Sequence, residues 1–144
     1  MFFRKQLIII RKALGGFDVY LGDILNELRE ETPTPLLRDK VNDGIKFPID
    51  DPAIPGKTAV MFEADHIVSM DRITRMENFE KLTKDEMRQV LNYEKNFTGL
   101  SKSANTSKGS KTFAEWAVYK KENLPINQAY RDVVDEWMVI GFQD

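Results

Sequence analysis

The chain has 144 residues, of which 42% are hydrophobic and 31% are charged, and its formal net charge is −2. This composition is ordinary for a globular protein with a hydrophobic core, and the charge argues against a protein that coats nucleic acid non-specifically. The absence of cysteine excludes disulfides and cysteine-based zinc sites. Because His66 is the only histidine, a metal would be held mainly by carboxylate and amide oxygens, which favours Mg²⁺ or Mn²⁺ over zinc.

The first part of the chain predicts a helical N-terminal extension and linker over residues 1–57. The apolar and basic residues 2–13 predict a buried amphipathic helix or strand, and this run is too short for a membrane span. Apolar residues at helical spacing predict a helix over 18–31, which two prolines end. The span 36–57 is rich in proline and acidic residues and is typical of an irregular connection. We expect no association with a membrane.

The middle of the chain, 58–122, predicts a small β element with helices around it. Two capping boxes, Thr83 with Glu86 and Thr112 with Glu115, each indicate the start of a helix. The predicted elements are a strand at 58–62, a second short strand at 66–68, a helix at 84–91, a turn and strand at 96–100, and a helix from 112 to about 122. Residues 70–92 form a helical insert in this plan.

The last part of the chain, 123–144, predicts a C-terminal helix that packs on the core. The helix is expected over about 127–138, with Ala129, Val133, Trp137 and also Tyr130 on its buried face. Trp116 and Trp137 are expected in the core rather than as base-stacking residues. Strands and helices in this order predict an α+β fold.

One short segment carries residues suited to chemistry: Glu63-Ala64-Asp65-His66-Ile67-Val68. Side chains alternate along a strand, so Asp65 and His66 would point to opposite faces unless a bend or bulge brings them to one site. Asp65 can bind a hard cation, and a neutral His66 can take a proton from water. Taken alone, such a pair is more often explained by a hydrogen-bonded structural histidine.

A second segment, from Asn96 to Lys111, reads N-F-T-G-L-S-K-S-A-N-T-S-K-G-S-K. Together with E-A-D-H-I-V-S-M it resembles the two motifs of the HNH endonuclease family, roughly E-V-D-H-I-V-P-L and N-L-x-x-L-C-x-x-C-N-x-x-K-G. Ser101 and Ala104 stand where many members have zinc-binding cysteines, so the resemblance implies the zinc-free branch. The likeness covers about 63–111, and the spacing between the motifs is longer than in compact members.

The resemblance implies a ββα-metal (HNH) core with surrounding helices and a role for each motif residue. Asp65 and Asn105 would hold one Mg²⁺ or Mn²⁺ ion, His66 would be the general base, and Asn96 would orient the histidine through backbone hydrogen bonds. The segment 102–111 has three lysines and no acidic residue, which suits a polyanion. The expected nucleic-acid contacts are Lys102, Lys108 and Lys111.

The implied function is a metal-dependent endonuclease that hydrolyses phosphodiester bonds, with DNA as the expected substrate. RNA stays open, because metal and phosphate contacts are common to both polymers. The motif region also resembles nuclease domains at the C-termini of bacterial polymorphic and contact-dependent toxins. That resemblance implies secretion or delivery into a target cell, action in its cytoplasm, and an immunity protein as a partner.

A non-catalytic module, which binds nucleic acid or protein on an HNH-like scaffold, is the alternative function. The acidic isoelectric point of about 5.5 and the weak match outside 63–111 favour this alternative. Each lysine taken singly is more simply explained as solvated surface. Asn96 could equally be a turn residue and Asn105 a helix cap.

Overall fold

The computed structural model describes residues 17–141 and, within them, the side chains of residues 22–134. The element predicted over 2–13 and the side chain of Trp137 lie outside these ranges. The described residues fall into two compact units. The first unit contains the residues up to Thr34 together with Met70–Tyr93, and the second contains Pro35–Ser69 together with the residues from Glu94 onward.

Helices and strands of two to four residues are interspersed along the described chain, and the strands form antiparallel pairs, which makes an α+β fold. Within the described part of the chain, no helix is both long and apolar enough to cross a membrane. The elements are α1 (Phe17–Glu30), α2 (Pro35–Lys40), β1 (Ile49–Asp50), β2 (Thr58–Ala59), β3 (Glu63–His66), α3 (Met70–Thr74), α4 (Lys84–Leu91), β4 (Phe97–Leu100), α5 (Lys102–Lys108), β5 (Val118–Tyr119), β6 (Leu124–Pro125) and α6 (Gln128–Gly141).

In the first unit, α1 and α4 pack against each other. The predicted capping box begins α4: Thr83 Oγ1 accepts from the Glu86 N–H at 3.1 Å, and Glu86 Oε1 accepts from the Thr83 N–H at 3.1 Å. Leu28 of α1 is buried, and Arg88 of α4 donates to Glu31 at 2.5 Å just after α1. The predicted bounds of α4, and those of α1 to within one residue, are confirmed.

The second unit contains the largest cluster of buried apolar side chains. The cluster joins the loop before β2, the start of α5, the turn after α5, the β5–β6 hairpin and α6. Trp116 is 1% exposed, which confirms its predicted place in the core. The buried members are Ala53, Ile54, Ile67, Leu100, Ala104, Phe113, Trp116, Tyr119, Ile126 and Val134.

The helix predicted from 112 to about 122 is wrong. The capping box is present, with Glu115 and Thr112 exchanging bonds of 3.0 and 3.1 Å, but the chain makes only one turn there. It then forms the antiparallel pair β5–β6, in which Tyr119 lies opposite Leu124. Burial of Trp116 and Tyr119 in the core overrides the local helix signal, because tertiary packing outweighs a single cap.

Three further predictions differ from the structure in the bounds or the buried face of an element. The strand predicted over 58–62 covers only β2, and the next strand is β3 rather than 66–68. The C-terminal helix is confirmed, but Ala129 and Val133 are exposed, whereas Val134 is buried and Tyr130 is half-buried. The buried stripe of α6 is therefore turned by one residue from the predicted one. The predicted irregular span 36–57 also contains most of α2.

Candidate functional site

The candidate site is built on β3, β4 and α5, which follow one another in space as two antiparallel strands and a helix. In the β3–β4 ladder, Asp65 lies opposite Thr98 and His66 lies opposite Phe97. Gly99 lies opposite Ala64, and a side chain there would meet the Phe62 ring, so glycine permits the close approach. The chain turns from β4 directly into α5.

Ser101 fixes the start of α5. Its hydroxyl oxygen accepts from the Ala104 N–H at 3.2 Å and its hydroxyl donates to Asp51. The other carboxylate oxygen of Asp51 accepts from the N–H groups of Ala53 and Ile54 at 2.9 and 3.2 Å. The helix ends at Gly109, which has a positive φ of 54°. The residues of α5 are therefore placed by a cap that is itself held by a buried loop.

Asn96 is fully buried and binds the chain that leaves β3 just after His66. Its side-chain oxygen accepts from the Val68 N–H at 2.8 Å, and its side-chain NH₂ donates to the Val68 carbonyl at 2.9 Å. Its own carbonyl accepts from the Ile67 N–H at 2.7 Å. These three bonds fix the backbone that directly follows the histidine.

Asp65 forms a buried ion pair with Lys108 of α5. Lys108 Nζ lies 2.9 Å from Asp65 Oδ2 and donates to the His66 carbonyl at 3.2 Å, and the lysine side chain has no exposed surface. The ammonium also lies 4.8 Å from the centre of the Phe113 ring. Lys108, which the sequence suggested as a phosphate contact, is instead fully buried. It neutralises Asp65 rather than facing solvent.

Burial raises the pKa of Asp65 above its ordinary value, although the Lys108 ammonium acts in the opposite direction. The nearby Glu63 carboxylate adds to the rise. Apart from the Lys108 ammonium at 2.9 Å, Oδ2 has no hydrogen-bond partner among the described residues. A further positive charge beside this buried carboxylate would stabilise its ionised form.

Asn105 stands one turn before Lys108 on α5 and contacts the same strand. Its side-chain NH₂ donates to Glu63 Oε2 at 3.0 Å. Since Glu63 and Asp65 are two residues apart on β3, they share a face, and α5 lies against that face. The structure therefore brings Glu63, Asp65 and Asn105 together. Glu63 was not among the predicted site residues, and its signal in the sequence was its position two residues before Asp65.

His66 does not share this face. All four residue pairs of the β3–β4 ladder are in register, so the strand lacks the bulge that would bring His66 beside the Asp65 carboxylate. The imidazole is half-buried and its ring centre lies 4.3 Å from that of Phe97, next to the buried cluster of Leu37, Ala64 and Phe97. His66 and Asp65 are neighbours in the chain that line opposite sides of one strand.

Tyr130 of α6 lies near Asp65, and only its position on a helix was predicted. Its hydroxyl lies 3.2 Å from Thr98 Oγ1 and donates to the Gly99 carbonyl at 3.2 Å. Burial raises the pKa of Tyr130 to about 12, and the negative charge of Asp65 contributes to this rise. Tyr130 therefore stays a neutral donor throughout the ordinary pH range.

The other two predicted nucleic-acid contacts, Lys102 and Lys111, are exposed and line a cavity beside α5, together with Ser107 and Trp116. They lie away from the face of α5 that carries Asn105 and Lys108. Ser107 Oγ accepts from Trp116 Nε1 at 2.9 Å, which joins the helix to the following turn.

No protein-family model, curated protein or solved structure matches this chain. Within the described residues, no three histidine, cysteine, aspartate or glutamate side chains converge as a metal-binding group. Glu63, Asp65 and the amide of Asn105 are the oxygen-bearing side chains that the strands and helix gather.

Proposed function

We propose that the chain is a metal-dependent endonuclease with an HNH-type ββα-metal core formed by β3, β4 and α5. The bonding of Asn96 carries this proposal. A fully buried asparagine, separated from His66 by an intervening segment, binds both backbone groups of Val68 and the N–H of Ile67. Its two side-chain bonds and its main-chain bond hold the segment that directly follows the histidine, which is where an orienting asparagine of an HNH site would act.

The side chains present fit a hard divalent cation such as Mg²⁺ or Mn²⁺. Asp65 and Glu63 offer carboxylates, and Asn105 offers its amide oxygen while its NH₂ donates to Glu63. Asp65 Oδ2 is buried 2.9 Å from the Lys108 ammonium, so a bound ion would share this carboxylate with the lysine or displace it. Asp65 and Asn105 would hold the ion, with water and substrate phosphate as its remaining ligands.

Each residue then has a defined task in phosphodiester hydrolysis. A bound ion would polarise the phosphoryl group and stabilise the leaving oxygen. His66 would accept the proton of the attacking water from the opposite face of β3, so the scissile phosphate must reach past the end of the strand. Asn96 holds the histidine backbone, and Lys108 holds the His66 carbonyl and the Asp65 carboxylate. Lys108 is a positioning residue in this scheme.

DNA is the substrate we propose, as in the family that the motifs resemble. The likeness to toxin nucleases adds the proposal that the chain acts in the cytoplasm of a cell into which it is delivered. An immunity protein that blocks the nuclease in the producing cell is the partner this implies. Cleavage of RNA instead of DNA would retain the fold and the roles of the residues.

Incubation of the purified protein with supercoiled plasmid and with total RNA, in Mg²⁺, Mn²⁺ or EDTA, tests the activity. We expect cleavage of plasmid that needs the metal and is lost in His66→Ala. Calorimetric titration with Mn²⁺ separately tests the ion site. Asp65→Ala and Asn105→Ala should weaken Mn²⁺ binding, whereas Asp50→Ala, at an exposed carboxylate on β1, should not.

Normal cleavage by His66→Ala would contradict the proposed mechanism, provided that circular dichroism shows both proteins folded. Equal Mn²⁺ affinity in the Asp65 and Asp50 variants would contradict the ion site. The titration does not depend on turnover, so it can fail or succeed independently of the cleavage assay.

A non-catalytic binding module is the second candidate, and one observation favours it. Lys108 already neutralises Asp65, and a resident ammonium removes the need for a metal ion at that carboxylate. Such a module would show neither Mn²⁺ binding nor cleavage while still binding nucleic acid or protein. The two assays above therefore separate the candidates.

A further inference from the structure

A cavity of about 680 Å³ lies between the outer face of α5 and the chain that follows it through β5. Its lining is drawn from two sides. Exposed residues of α5 form one side, and residues 115–121 form the other. The apolar part of the surface comes from Ala117, Val118 and the edges of Trp116 and Tyr119. We call this cavity the α5 groove.

Four lysines and a single acidic residue line the α5 groove. None of the four lysines forms an ion pair with any residue that the structure describes, and all are exposed. The acidic residue, Glu115, accepts a hydrogen bond from the Thr112 N–H in the capping box. The groove is therefore a site of concentrated positive charge on a chain whose net charge is −2. The lysines are Lys102, Lys111, Lys120 and Lys121.

The polar groups in the groove are suited to phosphate oxygens. Hydroxyl groups of Ser103 and Thr106 stand among the lysines on the exposed face of α5. Lysine ammonium groups act as point charges for phosphate, and serine and threonine hydroxyls donate to phosphate oxygens along a nucleic-acid backbone. Trp116 and Tyr119 are 1% and 6% exposed, so neither offers a ring face on which a base could stack.

We infer that the α5 groove binds the sugar-phosphate backbone of a nucleic acid without reading its sequence. The inference deepens the proposed nuclease function by naming a surface that would hold the polymer apart from the face that carries Asp65 and Asn105. It adds Lys120 and Lys121, which lie after β5 and beyond the motifs of the sequence. The apolar lining contacts sugars, and the lysines neutralise phosphates on either side.

Fluorescence anisotropy with labelled duplex DNA tests the groove, in EDTA and in the His66→Ala background so that cleavage and metal play no part. The double variant Lys120→Gln/Lys121→Gln should bind more weakly to two unrelated sequences by the same factor. The slope of log K against log salt concentration should become shallower by roughly two, because about one unit is lost for each phosphate contact. Both lysines are exposed, so the variant should fold normally.

The matched control is Lys46→Gln/Lys95→Gln, which removes the same charge from two exposed lysines of the same unit outside the groove. Its salt slope should stay close to that of the parent. Equal losses of DNA affinity in the two double variants, or an unchanged salt slope in the groove variant, would overturn the inference. A groove that binds an acidic protein instead of nucleic acid would give the same result. Weaker binding by the groove variant supports the inference even if the parent protein never cleaves plasmid, so the two proposals fail separately.

Discussion

Asn42 and Asn96 make the same pair of hydrogen bonds at the two ends of β3. Asn42 accepts from the Phe62 N–H at 2.8 Å and donates to the Phe62 carbonyl at 2.9 Å. Asn96 does the same to Val68, at 2.8 and 2.9 Å. The strand that carries Asp65 and His66 is therefore held at each end by a side-chain amide that replaces a neighbouring strand. The difference between them is burial, since Asn96 is fully buried and Asn42 is half-exposed.

Asn96→Ala should lower the free energy of unfolding by about 2–5 kcal/mol, because it leaves a buried N–H and a buried carbonyl of Val68 without partners. Asn42→Ala removes the same two bonds, and a third to the Arg38 carbonyl, where water can replace them, and it should cost only about 1 kcal/mol. Urea unfolding followed by circular dichroism measures both. Equal losses in the two variants would contradict the role assigned to burial at Asn96.

Lys108→Met should destabilise the fold by about 3–5 kcal/mol, because it leaves the Asp65 carboxylate buried without its counter-charge. Adding Asp65→Asn to this variant should recover much of the loss, since the double variant buries no charge. Thermal unfolding of the parent, both single variants and the double variant gives the coupling energy. Additive effects, with no coupling, would show that the two side chains do not interact as the ion pair requires.

Gly99→Ala should destabilise the fold by about 1–3 kcal/mol, because the new Cβ would lie 2.6 Å from Cδ2 and 3.1 Å from Cβ of the buried Phe62. Gly22→Ala is the matched control within α1, where a Cβ would meet nothing within 4 Å. It should stabilise the helix by up to about 1 kcal/mol through helix propensity. Denaturant unfolding should thus give opposite signs for the same chemical change, and two changes of the same sign would contradict the close approach at Gly99.

Tyr130 should make the protein lose stability in alkali over a defined interval. The tyrosine ionises at about 10.0 when unfolded and at about 12 when folded, so the unfolded state releases its proton first as pH rises. Stability contributed by the neutral hydroxyl is present below pH 10 and falls by roughly 3 kcal/mol across the interval. Urea unfolding at several alkaline pH values measures the slope. Tyr130→Phe should flatten it, and an unchanged slope in that variant would exclude Tyr130 as its source.

Local signals in the sequence predicted the elements that local interactions determine. The capping box of Thr83 and Glu86 gave the start of α4, and apolar spacing gave α1 and α6. The same kind of signal at Thr112 and Glu115 predicted a helix that does not form, since Trp116 and Tyr119 are buried by contacts distant in sequence. A cap shows where a helix can begin and carries no information about what the next ten residues pack against.

The motifs indicated which residues form the candidate site but not how their charges are arranged. The resemblance implied a ββα order, which matches the order of the elements that carry Asp65, Asn96 and Asn105, although the sequence pattern predicted no helix at 102–108. The burial of Lys108 and the contact between Asn105 and Glu63 did not follow from the motifs, because each depends on the side of β3 against which α5 packs. Strand geometry predicts that the side chains of Asp65 and His66 point to opposite faces unless the strand bends. The β3–β4 ladder is regular, so they remain on opposite faces.

The bonds of Asn96 to Ile67 and Val68 join two points of the chain, one just after β3 and the other just before β4. Residues 69–95 form the segment between these two bonded points. This segment contains α4, which packs against α1 in the first unit, so it is a folded segment and not a free loop. A foreign sensor or binding domain inserted in one of its turns would add loop-closure entropy of about 0.6 kcal/mol for each doubling of length, while the bonds of Asn96 keep the two strands in register.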